Sequence, residues 1–413
     1  MLIVNDNVAR ACTKLWFLVA EFKQPADGLL SNFFRENRKL GVSDRNAVAE
    51  TIYTILRNYN KLSKVVNPKN SFTLIGYVWL KLLGVNRQQL RDLKTINLGE
   101  IDKLSDLDLT TIELPQWVIG KLSLRYSLDE IRVLATAMSK SAPLTLRVNT
   151  FKQNREVVMQ ELENAGLRAK LTKYSPFGIK LSSRTALIGN SLFADGIIEV
   201  QDEASQLAGL LLEPKRGEMI VDFCAGSGGK TLLFGMLMRN SGRIYAFDVN
   251  ERRLGNLTPR LARSGLSNIF PQLISNEHDM KVKRLIGKID RVFVDAPCLG
   301  LGTLRRNPDL KFRHNEQSLR EINEKQLSIL NSAARLVKPG GRLVYATCSI
   351  LPDENQNIIT EFLNLNSDFK IVNIDQVVML KDLGLGCGDF LELSPTIHDT
   401  DGFFACAMQK DVN

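Results

Sequence analysis

Apolar residues recur at two different periods along the chain, and the change between them divides it. In the first third the spacing is helical. Val48, Ile52, Ile55, Leu56 and Tyr59 fall on one face of a helix that Ser43 is placed to cap and Asp44 to favour by its charge. Pro115 and Ser127 supply start signals for further short helices within TTIELPQWVIGKLSLRYSLDEIRVLATAM (110–138). The apolar stretch FTLIGYVWLKLLGV (72–85) is broken by Gly76, Tyr77 and Lys81. It falls short of the ~18 residues of a membrane span. Residues 1–138 are predicted to form an all-helical domain.

Near Ala142 and Pro143 the pattern shortens. LTLRVNT (144–150) reads as a strand, REVVMQELENAGL (155–167) as an amphipathic helix closed by Gly166, and RAKLTKY and GIKL as strands, so residues 139–198 are predicted as a small α+β unit. From about Val200 apolar strands alternate with helices. EMIVDFC (218–224), GRIYAFD (242–248), IFPQLI (269–274), DRVFVDA (290–296) and GRLVYAT (341–347) are the strands. Residues 199–413 are therefore predicted as a doubly wound α/β domain whose ligands bind at the carboxyl ends of parallel strands. Cys224, Asp248, Cys298 and Cys348 all lie at or just beyond such ends.

Composition narrows the class. With 44% hydrophobic and 24% charged residues in 413, the chain is globular rather than disordered. A formal charge of +9 suits a polyanionic partner, since each phosphate neutralised releases a counterion. The six cysteines show no CxxC pairing and there are only three histidines, so neither zinc nor a disulfide framework is expected, and no metal is assigned. Cys12, Cys387 and Cys406 read as packing residues. MLIVNDNVARACTKLW lacks the pattern of a secretory leader, and a cytoplasmic monomer without membrane contact is expected.

The first α/β strand runs into DFCAGSGGKT (222–231), a glycine-rich turn opening a helix. Glycines let backbone approach a ligand, and a helix amino end offers free amides. A triphosphate loop, GxxxxGK[ST], would need glycine where Cys224 stands. An adenosyl or dinucleotide cofactor needs an acid at the end of the second strand, and Asp248 stands there, twenty residues after Gly228. Spacing alone leaves S-adenosylmethionine and NAD both open.

DFCAGSGGKT, DVNERR, DAPCLGLGTLRRNPDLKFR, ATCSILPDEN and HDTDGFF stand in an order similar to that of the Nop/Sun family of S-adenosylmethionine-dependent RNA 5-methylcytosine methyltransferases. The layout most resembles its bacterial 16S ribosomal RNA branch. The likeness is strong from about residue 140 to 413, and LGVSDRNAVAETIYTILR is similar to part of that branch's NusB-like helical domain. The resemblance implies a Rossmann-like class I methyltransferase domain after the small α+β unit and the RNA-binding helical domain. Cytosine carbon 5 becomes nucleophilic only after a thiolate adds to carbon 6, and the adduct must later be released. By family position Cys348 is the attacking thiol, Cys298 assists release, Asp295 bonds the ring and Lys230 orients the carboxylates. The cofactor is expected against Cys224, Ala225, Gly226, Ser227, Gly228, Gly229 and Lys230, with Asp248 on the ribose, Asn276 by the adenine and Asp295 adjoining. Asn276 replaces the family's usual aspartate, and Gly226 and Ser227 replace the alanine and proline of CAAPGGKT. Arg305, Arg306, Lys311 and Arg313 are expected on RNA phosphates, with Phe312 either beside the nucleobase or in the core. HDTDGFF reads as the final turn and strand, Phe403 and Phe404 facing opposite ways. The same chemistry on transfer RNA, and a noncatalytic RNA-binding assembly factor, are the alternatives.

Overall fold

The computed structural model describes residues 2–182, 187, 189–385 and 388–412; Cys387 lies outside them. The described chain forms two compact units, one of Met1–Ser141 with Thr303–Glu316, the other of Ala142–Gly302 with Gln317–Asn413.

In the first unit, Asn5 caps helix Asp6–Val19 by accepting from the Val8 amide at 2.9 Å, and Val8, Cys12, Leu15, Trp16 and Val19 form its buried face. The helical stripe in the sequence is core as expected through Leu56, with Val48, Ile52, Ile55 and Leu56 inaccessible along helix Val42–Arg57, whereas Tyr59, half-buried, opens the next helix, Tyr59–Val65. Ser43 is not its cap. The helix starts two residues earlier than a Ser43 cap would place it, Gly41 takes the extended capping conformation, and Ser43 and Asp44 both fall in the first turn. Ser127 does cap helix Leu128–Met138, in a reciprocal box with Glu130. The apolar stretch at 72–85 becomes helix Ser71–Tyr77 and a π-helical turn, Val78–Leu82, whose Trp79 Nε1 donates to buried Thr51 Oγ1 at 2.8 Å. No helix among the described residues is long and apolar enough to cross a membrane.

The segment Thr303–Glu316 belongs to this helical unit. Phe312 lies 4.6 Å from the Phe22 ring and 5.1 Å from Tyr59, centroid to centroid. The Lys311 ammonium, buried, reaches Glu113 Oε2 at 3.0 Å and the Glu113 carbonyl at 3.1 Å. Glu113 also accepts from the amides of Asn60 (3.1 Å) and Lys61 (2.9 Å), so the buried pair is well bonded on the acid side. Burial draws the Lys311 pKa down, with Glu113 opposing.

The second unit holds two sheets. Strands β1 (Leu144–Val148), β2 (Ala169–Leu171), β3 (Gly178–Leu181) and β4 (Ile198–Val200) form an antiparallel sheet in the order β2-β3-β1-β4. The larger sheet comprises β5 (Met219–Asp222), β6 (Arg243–Asp248), β7 (Ile269–Leu273), β8 (Ile289–Asp295), β9 (Val337–Thr347), β10 (Phe369–Val372), β11 (Leu391–Leu393) and β12 (Phe403–Lys410). Its order is β10-β12-β9-β8-β5-β6-β7, with β11 also on β12. Strands β5 to β9 run parallel, as their near-continuous apolar sequences require, and β12 runs antiparallel to β9. Pro271 is tolerated because β7 is an edge strand. Phe403 and Phe404 enter the cores on opposite faces of the sheet, as their alternation implies. Chain order reverses between β5 and β8, which makes their carboxyl ends the switch point where an open α/β sheet leaves a crevice.

Candidate active site

Strand register gathers the candidate residues. Asp222 pairs with Ala246 on one side and Phe293 on the other, so Cys224, Asp248 and Asp295 each come two residues later at the same level. Asp295 in turn pairs with Ala346, two residues before Cys348. Backbone bonds from Phe223 to the Phe293 carbonyl and from Ala225 to the Phe247 carbonyl, both 2.8 Å, carry β5 beyond its formal end before the loop turns.

That turn depends on two left-handed glycines. Gly226 has φ +56° and Gly228 φ +79°, the latter at the amino end of helix Gly229–Leu237. A Cβ on Gly228 would stand 2.1 Å from Leu257 Cδ1, whereas one on Gly226 would meet nothing within 4 Å. The loop is thus braced on one side and open on the other. The Gly226 amide donates to Asp248 Oδ2 and the Asn250 amide to Oδ1, each at 2.7 Å. A carboxylate has about four lone-pair sites, so these bonds orient Asp248 and leave it able to receive a ribose diol. The open glycine edge, the helix amides and this acid together fit an adenosyl group. Asn276 lies three residues past β7, exposed, its Oδ1 accepting from the His278 amide at 2.8 Å.

Lys230 and Asp295 meet as expected. The ammonium is 2.7 Å from Asp295 Oδ2 and 4.9 Å from the Phe403 ring centroid. Lys230 is buried, while the Asp295 side chain stays about one-third exposed, 35%, toward the crevice. Behind them Asp222, on Thr231 Oγ1 at 2.6 Å, is pushed up to about 7 by burial, the Thr231 bond opposing. Burial also drives the Cys224 thiol well up, helped by the carboxylates around it, so Cys224 is a neutral wall rather than a nucleophile.

Cys298 and Cys348 are 3.4 Å apart, sulfur to sulfur, and both are free thiols. Their loops approach closely: the Gly302 amide donates to the Cys348 carbonyl at 2.8 Å, and a Cβ on Gly302 would sit 2.7 Å from that oxygen. Cys298 is held well above the ordinary thiol range, chiefly by its hydrogen bond with Cys348 and then by burial. Cys12 and Cys406 are buried, Cys12 pushed up to about 12 by burial, and both take part in packing only.

The basic segment is corrected by the structure. Lys311 is spent on Glu113, Phe312 packs between aromatic rings, and Arg305 is only 6% accessible. Arg306 and Arg313 remain half-buried, Arg313 within 3.4 Å of Asp309. Other groups went unforeseen. Arg147 on β1 donates to the Gly229 carbonyl at 2.6 Å, and Arg260 donates to the Ser227 carbonyl at 2.6 Å while pairing with Glu199 of β4 at 2.9 Å. The small sheet therefore grips the glycine loop from behind. These contacts join residues 33 to 82 positions apart, which no local motif reveals.

Comparison with known proteins agrees with this geometry. Residues 209–409 match the family model described as 16S rRNA methyltransferase RsmB/F, and residues 114–187 the RsmF/B-like ferredoxin-like domain. The chain is 32% identical over 353 residues to a probable ribosomal RNA small subunit methyltransferase B of Synechocystis, covering 84% of this chain and 74% of that protein. It is 30% identical over 297 residues to a protein of the same description in Bacillus subtilis, covering 72% of this chain and 66% of that one, just under two thirds of its length. The crystal structure of PH0851 superposes with a TM-score of 0.81 at 27% identity, over 99% of this chain and 100% of that one.

Proposed function

This chain belongs to the RsmB/F family of ribosomal RNA methyltransferases, and from that premise we propose that it methylates carbon 5 of a cytosine in 16S ribosomal RNA through a covalent adduct on Cys348. The observation that carries the reading is the 3.4 Å approach of two free thiols just past β8 and β9, at the carboxyl edge of the sheet on which Asp295 ends β8. S-adenosylmethionine, when bound, supplies an electrophilic methyl group. Gly226 to Lys230 and Asp248 would hold it, with Asn276 on the adenine side.

The chain's own residues divide the work. Cys348 attacks carbon 6, and the electron pair displaced from the ring double bond makes carbon 5 nucleophilic. Asp295, one oxygen tied to Lys230, faces the N3 edge of the ring with the other, and a proton shared between that oxygen and N3 neutralises the negative charge that addition places there. Cys298 keeps its proton while a negative Cys348 sulfur lies beside it, because that neighbour is the largest cause of its raised pKa. Once Cys348 is a neutral thioether that cause is gone. Cys298 then gives up its proton to solvent and, as a thiolate, takes the carbon 5 proton; the carbon 5–hydrogen electrons rebuild the ring double bond as the carbon–sulfur bond breaks, and Cys348 leaves as a thiolate. The target cytosine must be unstacked for carbon 6 to be reached. The helical unit, NusB-like in its sequence likeness, and the half-buried Arg306 and Arg313 are the proposed RNA-facing elements.

Bisulfite mapping of ribosomal and transfer RNA, from cells with and without the gene, tests the reading. A 16S position that loses 5-methylcytosine supports it. Loss from a transfer RNA instead would move the substrate, and no change in either would contradict the enzymatic role.

A further inference from the structure

Neither thiol loop is held by its own backbone alone. On the Cys298 side, the Leu299 amide donates to Glu354 Oε1 at 2.9 Å and Gln326 Nε2 donates to the Pro297 carbonyl at 2.9 Å, so the residues before and after the cysteine are both anchored. Gln326 Nε2 also reaches Glu354 Oε1 at 3.1 Å, which joins the two anchors. On the Cys348 side, the Ser349 hydroxyl meets Glu354 Oε2, Thr347 Oγ1 donates to Asn355 Oδ1 at 2.6 Å, and Asn355 Nδ2 donates to the Ser349 carbonyl at 3.1 Å. Tyr345 closes the set by donating to the Glu354 carbonyl at 2.7 Å. Glu354, Gln326, Thr347, Ser349 and Asn355 are all buried, Glu354 and Gln326 fully.

We propose that Glu354 is a positioning residue, a side chain shared by both thiol loops, which sets the distance at which Cys298 can act on an adduct carried by Cys348. The inference rests on the thiol roles proposed above. Glu354 is inaccessible, so it acts through the loops and not on the RNA. One carboxyl oxygen accepts from the Leu299 amide and Gln326 and the other from the Ser349 hydroxyl, bonds that oppose the rise in pKa that burial causes. A glutamine keeps the acceptor toward Leu299 and Gln326 and turns its amide toward the Ser349 hydroxyl, which can accept as well as donate. An alanine removes both contacts, and a displacement of about 1 Å in a reacting group costs on the order of a hundredfold in rate.

The test uses the full chain with an in vitro transcript of the 16S target, comparing wild type, Glu354→Ala, Glu354→Gln, Gln326→Ala and Cys298→Ala. Each is assayed for kcat, for KM toward S-adenosylmethionine, and for the fraction of protein joined to RNA in a denaturing gel. Glu354→Ala is expected to lose at least ~tenfold in kcat with KM changed by less than about twofold, and to accumulate the denaturation-resistant adduct. Glu354→Gln should restore kcat to within a few-fold. Gln326→Ala, which keeps the Glu354 bonds to Leu299 and Ser349, should show the same signature more weakly, and it stands in should Glu354→Ala fail to fold. Cys298→Ala separates the two levels of the argument. If it traps adduct while the Glu354 and Gln326 variants lose activity without trapping any, the clamp is refuted and the thiol roles stand. If Cys298→Ala traps none, the thiol roles fall and the inference with them.

Discussion

Gly226 and Gly228 stand two residues apart in one loop, yet one serves its fold and the other its ligand. Gly228→Ala meets two costs. Left-handed backbone, at φ +79°, costs an L-residue roughly 1–2 kcal/mol. The added Cβ would also press on Leu257, with Cδ1 at 2.1 Å, Cγ at 3.0 Å and Cδ2 at 3.1 Å. Leu257 is itself fully buried, so it cannot swing into solvent, and overpacking of this kind costs about 1–3 kcal/mol. The sum is roughly 2–5 kcal/mol. Gly226→Ala shares the first cost, at φ +56°, but its Cβ would point into open space, so about 1–2 kcal/mol is expected. That open space is where a ligand would approach the loop, so Gly226→Ala should weaken S-adenosylmethionine binding out of proportion to its effect on stability. Urea unfolding read by amide hydrogen exchange on β5 and β6 gives the stability of the right unit, since Trp16, Trp79 and Trp117 all lie in the other one. Calorimetry gives the affinity. Equal destabilisation by the two variants, or a Gly226→Ala protein that binds S-adenosylmethionine as wild type does, would refute the reasoning.

Two further outcomes follow from buried groups. Lys311→Met leaves Glu113 buried without its cation and should cost about 3–5 kcal/mol in the helical unit, read by tryptophan fluorescence in urea. It should leave the salt dependence of RNA binding unchanged, whereas loss of a lysine on a phosphate would reduce the logarithmic slope by nearly 1. Asp222 binds its proton more tightly folded, up to about 7, than at its ordinary 3.8, so its contribution to stability falls as pH rises through that window and is level above it. Asp222→Asn should therefore gain on wild type by up to about 1.4 kcal/mol per pH unit between roughly pH 4 and 7, checked by urea unfolding across that range. A difference that stays constant with pH would show that Asp222 is not held protonated.

Periodicity and strand-end motifs carried the architecture and most of the site into view. The alternation after Val200 implied parallel strands, and β5 to β9 are parallel; the acid twenty residues after Gly228 is bonded to the glycine loop. What stayed hidden depends on partners remote in the chain. Lys311 reads as one more cation in a basic run, and only Glu113, 198 residues away, reveals it as a buried structural charge. Glu354 reads as a loop carboxylate until Leu299, 55 residues away, is seen to donate to it. The grip of Arg147 and Arg260 on the glycine loop likewise joins a strand of the small sheet and the helix Leu257–Ser264 to a turn remote from both in the chain. Ser43 failed as a cap for a local reason, because Gly41 was free to adopt the extended conformation two residues earlier.

The central claim is that Cys348 attacks and Cys298 releases. Mass spectrometry of the RNA-linked peptide from Cys298→Ala, digested with protease and nuclease after reaction with the 16S transcript and S-adenosylmethionine, addresses it most directly. A nucleotide remnant is expected on the peptide containing Cys348, and none from Cys348→Ala treated in the same way. An adduct that survives Cys348→Ala and maps to Cys298 would reverse the assignment.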